Sequence, residues 1–387
     1  MGSSVNQHFV PQYHFRNFSS NGKSIHVFLT RHGRSILNAA ISGQCAKRNF
    51  YGHAEIESAF AALEQRHALA IRRLLDFYRG RSRSPLSMDD QIHLMHAVLF
   101  QRSRTEFEVD KHKGSHEQFA LAAFRAHLAS REDLDEKDRM LETLDTGQFT
   151  LSASPQYVLG HLIPIAMQSV ELIADLKLIV LKNFTQFPFI FSDSPVVFYN
   201  TYYRRITNRG VLGLQTPGLQ IFFPLSPTIV LMLVDPSVYE IATTTPGCTH
   251  VVHPCDVSQL NALQLHHNSN AVYFKSAQDE GYVNKLWRTH NPNVQSVASI
   301  FRRLSESNLV CRGVADASQV LHTFEPQVNH ELSLSFIRCN QVNPDDYQFS
   351  RRDPEFVKEY QKRMKKEDRE QRDRIRRSGA PRKRCGA

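Results

Sequence analysis

The sequence predicts an α+β protein, a helical layer packed on a mostly antiparallel sheet, followed by a charged C-terminal helix. Three observations carry this. Before residue 175 apolar residues recur at three- and four-residue steps; between 176 and 234 the apolar runs are short, β-branched and aromatic; and from Arg351 on the chain gathers 15 Lys+Arg against 7 Asp+Glu. That tail holds +8 of the formal net charge of +9, so the preceding 350 residues are nearly neutral. The expected organisation is one domain over residues 1–350 and a basic helical or disordered tail over 351–387.

The chain's 387 residues, with 41% hydrophobic and 22% charged content, suit a globular protein with a sizeable core. Its first element is NQHFVPQYHFRNFSS (Asn6 to Ser20). Pro11 prevents a helix from running through His8, so an extended entry followed by a helical turn from about Pro11 is expected. Asn21-Gly22 then marks a turn into the strand SIHVF. From Glu55, Ile56, Phe60, Leu63, His67, Ile71, Leu74 and Leu75 keep a helical period that Gly80 ends. A second helix is expected over Met88 to Arg104, with Ile92, Met95, Leu99 and Gln101 inward. A third is expected around His116 to Ser130, and a fourth within Pro155 to Ala174. Strands follow at Leu176–Phe184, Phe187–Phe191 and Val196–Asn200. The apolar stretch LQIFFPLSPTIVLMLV (Leu219 to Val234) is split by Pro224, Ser226 and Pro227 and reads as two buried strands joined by a turn, not as a membrane span. Helices are expected again at Val257–Asn270 and Val294–Leu304, and a strand at Leu332–Arg338. In the tail, Asp368–Arg372, Glu370–Arg374 and Asp373–Arg377 are acid-first pairs four apart, which support a helix.

No secretory leader opens the chain, and Asn6 stands where a myristoylation start wants Ser or Thr. Six cysteines spread over the whole length do not form a disulfide framework. A cytoplasmic location is expected, nuclear if the PRKR end serves as an address in a eukaryote, with no membrane partner.

The stretches His8-x-x-Pro11-Gln12 with Arg16-Asn17-Phe18, the SIHVF strand, Glu64, FQRSR (Phe100 to Arg104), FIFSDSPVVFYN (Phe189 to Asn200), FFPLSP (Phe222 to Pro227) and a helix holding Asn261 together resemble the domain-of-unknown-function family 4238. The order and spacing match over roughly residues 6 to 300, and the HFVPQ…RNF start and the SDSPV turn are the most specific parts. The resemblance implies kinship of fold and a short list of shared positions, and no established reaction. The CTHVVHPC stretch and the basic tail have no counterpart in it.

The residues themselves offer several candidate sites. His8, Gln12 and Arg16 suggest an acid/base histidine beside an anion-binding guanidinium; the alternative is an N-terminus anchored by Phe9, Tyr13, Phe15 and Phe18. Asp193, at a strand end before a proline turn, is either a site carboxylate or the head of an Asx turn. Glu64, Gln101 and Arg104 lie on apolar helix faces; a Glu64–Arg104 bridge satisfies the cost of burying charge, and substrate positioning is the sharper reading. His8, Glu64 and Asp193, if they converge, could hold a divalent metal or activate water. Cys248, His250, His253 and Cys255 are a weaker metal set, spaced unlike a zinc knuckle. The loop Thr201–Gly210 interleaves Tyr202 and Tyr203 with Arg204, Arg205 and Arg209, the letters of a single-strand stacking surface, and the tail could neutralise phosphates. The glycines at 210, 213 and 218 lack a phosphate loop's Gly-Lys-Ser/Thr, and no GxSxG, HExxH or dinucleotide glycine set occurs. The expected function is a nuclease-like hydrolase of nucleic acid or nucleotides, the alternative a non-enzymatic nucleic-acid- or partner-binding protein.

Overall fold

The computed structural model describes residues 6–52, 54–131, 136–146, 149–207, 209–290, 300–303, 321–339, 341 and 351–352. The first half runs β1 (Asn6–His8), α1 (Gln12–Phe18), β2 (Ser24–Leu29), β3 (Arg34–Ala40), β4 (Ala46–Arg48), α2 (Ala54–Tyr78), α3 (Met88–Ser103), α4 (Glu106–Ser130), α5 (Lys137–Asp145) and α6 (Pro155–Gln168). The second runs β5 (Lys177–Asn183), β6 (Phe191–Ser192), β7 (Val197–Tyr199), β8 (Gln220–Ser226), β9 (Ile229–Val234), β10 (Glu240–Ile241), β11 (Cys248–Val251), α7 (Pro254–His266), β12 (Ala271–Phe274), α8 (Glu280–His290), β13 (Ile300–Arg303), β14 (Leu321–Phe324) and β15 (Ile337–Arg338).

Two sheets organise the body. One has the order β11-β5-β9-β8-β7 and the other β3-β2-β12-β6, and β11 on β5 is the parallel pairing in them. The expected α+β class, mostly antiparallel, is what the chain forms. Every residue of β8 and β9 is buried because the first sheet is covered on both faces. Ile221, Phe223 and Leu225 meet α2 and α3 through Leu74, Leu94 and Val98. Phe222, Val230 and Met232 meet α7 and the segment ending in Phe336. That double cover turns the usual inside–outside alternation into the continuous apolar run seen in the sequence. The second sheet packs the opening segment and α6 through Phe9, Phe15, Phe18, Val158 and Leu159, and receives α8 through Val283 and Leu286.

Ser87 makes a full capping box with Asp90 at the start of α3, and Thr105 caps α4, which therefore begins well before the expected His116. Ile56 and Ile92 lie outward, exposed, although the helices they belong to are as expected. The FPFIF stretch is not a strand along its length. Ile190 N–H donates to Asn261 Oδ1 at 3.0 Å and Ser192 N–H to Gln264 Oε1 at 2.9 Å, so side chains of α7 take bonds that a ladder would have supplied. The part of Val294–Leu304 that is described, Ile300–Arg303, pairs with β14 instead of coiling. The charged C-terminal helix lies outside the described residues. The body itself reaches Arg352: that residue, 7% exposed, donates from its side chain to Asp175 at 2.5 Å and to the Thr216 carbonyl at 2.8 Å. The boundary drawn at residue 350 therefore cuts through the body's contacts.

Candidate functional site

The opening residues are gripped by FQRSR. Pro11, with φ −69° and ψ 147°, turns the extended β1 into α1. Arg104 closes α3 and is completely buried. Its Nη2 donates to His8 O at 2.9 Å and its Nε to Phe9 O at 3.1 Å, while Gln101 Nε2 donates to Phe9 O at 2.9 Å. Tyr51 Oη adds a second donor to His8 O at 3.2 Å. Arg104 Nη1 donates to Glu64 Oε1 at 2.6 Å, the bridge that buried charge requires, and the guanidinium lies 4.6 Å from the Phe100 ring centre. These contacts hold Arg104 in its charged form despite burial.

What this grip presents outward is a row of polar groups. His8 Nε2 is 3.1 Å from Ser42 O and 3.4 Å from Gln12 Nε2, and Arg16 Nη2 donates to Gln12 Oε1 at 2.8 Å. A carbonyl only accepts, so the shorter contact puts the His8 proton on Nε2 and leaves the lone pair on Nδ1. Burial lowers the His8 pKa below its ordinary value, and the Ser42 contact and the Glu64 charge oppose that shift only in part. The imidazole is therefore neutral at pH 7. Arg16 is exposed, and Glu64 keeps 26% of its side chain in solvent. The same carboxylate raises the pKa of neighbouring Glu57, after burial.

Asp193 does not join this row. Its two oxygens accept N–H bonds from Ser269, Asn270 and Ala271 at 2.8, 2.8 and 3.0 Å, so it pins the α7–β12 connection. Burial pushes its carboxyl up to about 6 against those donors. Asp193 is thus not the head of an Asx turn but the anchor of a distant segment, and these bonds remove it from the metal constellation with His8 and Glu64. Arg104, with its three nitrogens committed inside the protein, is likewise a positioning residue and not a phosphate clamp. In the 201–210 loop Tyr203 is buried, Tyr202 packs against Gly218, and the Arg204 guanidinium lies 5.8 Å from the Tyr199 ring centre. The tyrosine faces are thus spent on the core, and Arg205 is the exposed member of the four substrate-binding candidates there. Gly218 has φ +76°, and a Cβ there would meet Tyr202 at 2.5 Å, which accounts for that glycine without a phosphate. Cys248 is buried in β11, the His250 ring lies tilted against Phe184 with centres 4.4 Å apart, and Cys255 is exposed on α7. Among the described residues they form no cluster of three ligands.

The structure also assembles a group that the sequence did not announce. Arg102 donates to His267 Nε2 at 2.5 Å, to Val196 O at 2.9 Å and to Glu325, and lies 3.3 Å from Glu108. Lys111 bridges Glu108 at 2.7 Å and Glu325 at 2.8 Å. His267 Nδ1 donates to Ser194 O at 2.9 Å, which ties the cluster to the SDSPV turn. Glu108 and Glu325 are held well below the carboxylate range by Arg102 and Lys111, against burial, so two anions balance two cations around a neutral imidazole. Arg102 sits inside FQRSR beside the residues singled out from that motif; Glu108 and Lys111 are a local pair three residues apart, but His267 and Glu325, which complete the cluster, lie far along the chain.

A buried charge cluster, a clamped N-terminus and two helix-covered sheets define an α+β protein whose shared motifs meet in space. The model of the family described as "Protein of unknown function (DUF4238)" matches residues 6–278, and the chain belongs to that family. No curated protein and no solved structure matches it. Among the described residues no helix is long and apolar enough to cross a membrane.

Proposed function

We propose that the row His8, Gln12, Arg16 and Glu64 is a ligand site, and that the chain is a hydrolase acting on phosphoesters of nucleotides or nucleic acid. The state of His8 supports this most: a half-buried, neutral imidazole whose Nδ1 lone pair has no partner among the described residues. Such a group accepts a proton from water near neutral pH. In this reading the water oxygen attacks phosphorus, its proton passes to Nδ1, and the imidazolium returns that proton through solvent to the leaving oxygen as the ester bond breaks. Arg16 has donors left over beyond its bond to Gln12 and holds a phosphate oxygen. Glu64 has one oxygen committed to Arg104 and offers the other to the water or to a divalent cation. Arg205 and the basic tail would add sequence-blind phosphate contacts.

The second reading, a non-enzymatic nucleic-acid- or partner-binding protein, is favoured by the full internal commitment of Arg104 and Asp193. One experiment separates them. Labelled RNA, single-stranded DNA, duplex DNA and nucleotides are incubated with the full chain, with Mg²⁺ or Mn²⁺ and with chelator, beside His8→Ala, Arg16→Ala and a chain ending at Asp353. Cleavage abolished by His8→Ala supports the hydrolase. Binding without turnover, lost on removing the tail, supports the binder, and neither result with any substrate would overturn the hydrolase and the nucleic-acid binder alike.

A further inference from the structure

The last residue of α7, the last residue of α8 and a residue of the segment before β15 bring three imidazoles together. His266, His290 and His330 each offer one ring nitrogen, and these atoms all lie within 4.8 Å of one another. The ring centres are 5.5 Å apart for His266–His330, 5.2 Å for His290–His330 and 6.2 Å for His266–His290. Their carriers are well anchored. Tyr199 Oη donates to His330 O at 2.7 Å and accepts from Leu332 N–H at 3.0 Å, fixing that segment to β7. Val257, Leu260 and Leu263 seat α7 in one core, and Val283 and Leu286 seat α8 in another.

We propose that His266, His290 and His330 form a binding site for a divalent transition metal of the zinc class. Histidines ending a helix ordinarily favour the charged form, which would complement the helix dipole. Here burial, and then the neighbouring rings, push His266 and His330 down to about 4, and burial lowers His290. All three rings are therefore neutral at pH 7, so they share one space without charge repulsion and with lone pairs open to a metal. The His330 ring hydrogen-bonds the Gln259 backbone, while its Nε2 is buried with no partner among the described residues. A buried nitrogen left unpaired carries a desolvation penalty, which a metal bond would remove. Tetrahedral Zn–N bonds of about 2.0–2.1 Å set neighbouring nitrogens roughly 3.3 Å apart, a contraction reached by side-chain rotation. Three nitrogens and no carboxylate select Zn²⁺, Co²⁺ or Ni²⁺ over the oxygen-seeking Mg²⁺, and leave a fourth position for water or ligand. The other group of possible ligands among the described residues, Glu108, His267 and Glu325, is already neutralised by Arg102 and Lys111 and needs no cation.

Metal-stripped full-length protein is titrated with Co²⁺, followed by its visible absorption, and then with Zn²⁺ in competition. One Co²⁺ per chain, with a tetrahedral spectrum displaced by Zn²⁺, is expected. His330→Ala and His266→Ala should each weaken binding by more than the roughly 10–100-fold that loss of an outer hydrogen-bonding partner costs at metal sites. His330→Asn, close in size to the native ring, repeats the test should the alanine variant fold poorly. The pair His253→Ala with Cys255→Ser should bind as the unaltered chain does. No stoichiometric Co²⁺, or Co²⁺ binding that survives the combined His266→Ala and His330→Asn change, would overturn the proposal.

Discussion

Arg104, without exposed surface, donates to Glu64 at 2.6 Å across the α2–α3 interface and to the carbonyls of His8 and Phe9 with its remaining nitrogens. One guanidinium thus joins two helices to the strand that carries the proposed base. Replacing it by Met leaves the partly buried Glu64 carboxylate without this donor and leaves each carbonyl with one donor, Tyr51 or Gln101, in place of two, and is expected to cost roughly 3–5 kcal/mol. Arg104→Lys should recover little, since a single ammonium cannot span three acceptors held around a planar fork. Glu64→Gln keeps a hydrogen-bond acceptor at a site still 26% exposed, and should cost less, about 1.5–3 kcal/mol. Urea unfolding of the three variants orders these losses.

Asp193 is tested by the same measurement with a different control. Asp193→Ala strands the N–H groups of Ser269, Asn270 and Ala271, which now share its two oxygens, and should destabilise by roughly 3–5 kcal/mol. Asp193→Asn retains one accepting oxygen but turns an NH₂ toward donors, so it should fall between alanine and the native chain. A variant as stable as the native protein would contradict the anchoring role.

His14 is a buried imidazole with no hydrogen-bond partner on either nitrogen among the described residues, stacked 5.1 Å from Phe223 and set edge-on to Phe191 at 4.7 Å. Burial pushes its pKa down to about 3 from 6.5. The unfolded chain therefore takes up a proton at this site below pH 6.5 while the folded chain does not. Stability is intact above 6.5 and is lost as pH falls toward 3, by about 1.4 kcal/mol per unit from this group. His14→Leu should flatten that slope in denaturant unfolding measured from pH 7 to 4, and an unchanged slope would assign the acid sensitivity elsewhere.

These residues also mark how far sequence reasoning reaches. The long helices were legible because 3.6-residue periodicity is local, and the Glu64–Arg104 pair because an isolated charge on an apolar face demands a partner. The HFVPQ start was legible as a constellation, though not the carbonyls of His8 and Phe9 as the objects that Arg104 and Gln101 hold. FPFIF misled because its composition is that of a strand while the Ile190 N–H and the Pro188 carbonyl are bonded by the side chain of Asn261, some seventy residues on. Tyr202 and Tyr203 misled because aromatic letters do not say which way they face. His266, His290 and His330 were invisible as a set: nothing short of the tertiary packing of α7, α8 and β7 brings them together.

The domain boundary is the last such case, and it bears on how the tail is studied. Asp175 is fully buried and its carboxylate is held by Arg352 at 2.5 and 3.2 Å. The same guanidinium donates to the carbonyls of Leu172, Leu214 and Thr216, and Arg352 N–H donates to Gln215 O at 2.9 Å. Composition places Arg352 in the basic tail, yet its contacts are those of a core residue. A chain ending at Ser350 leaves a buried carboxylate uncompensated and should be destabilised by roughly 3–5 kcal/mol. A chain ending at Asp353 keeps the arginine and should unfold as the full protein does. Thermal unfolding of the two truncations side by side decides this. Equal midpoints would show that the Arg352–Asp175 pair contributes nothing. A loss confined to the shorter chain would mean that nucleic-acid binding lost on cutting at 350 reports unfolding of the body, and that only the cut at 353 isolates the tail.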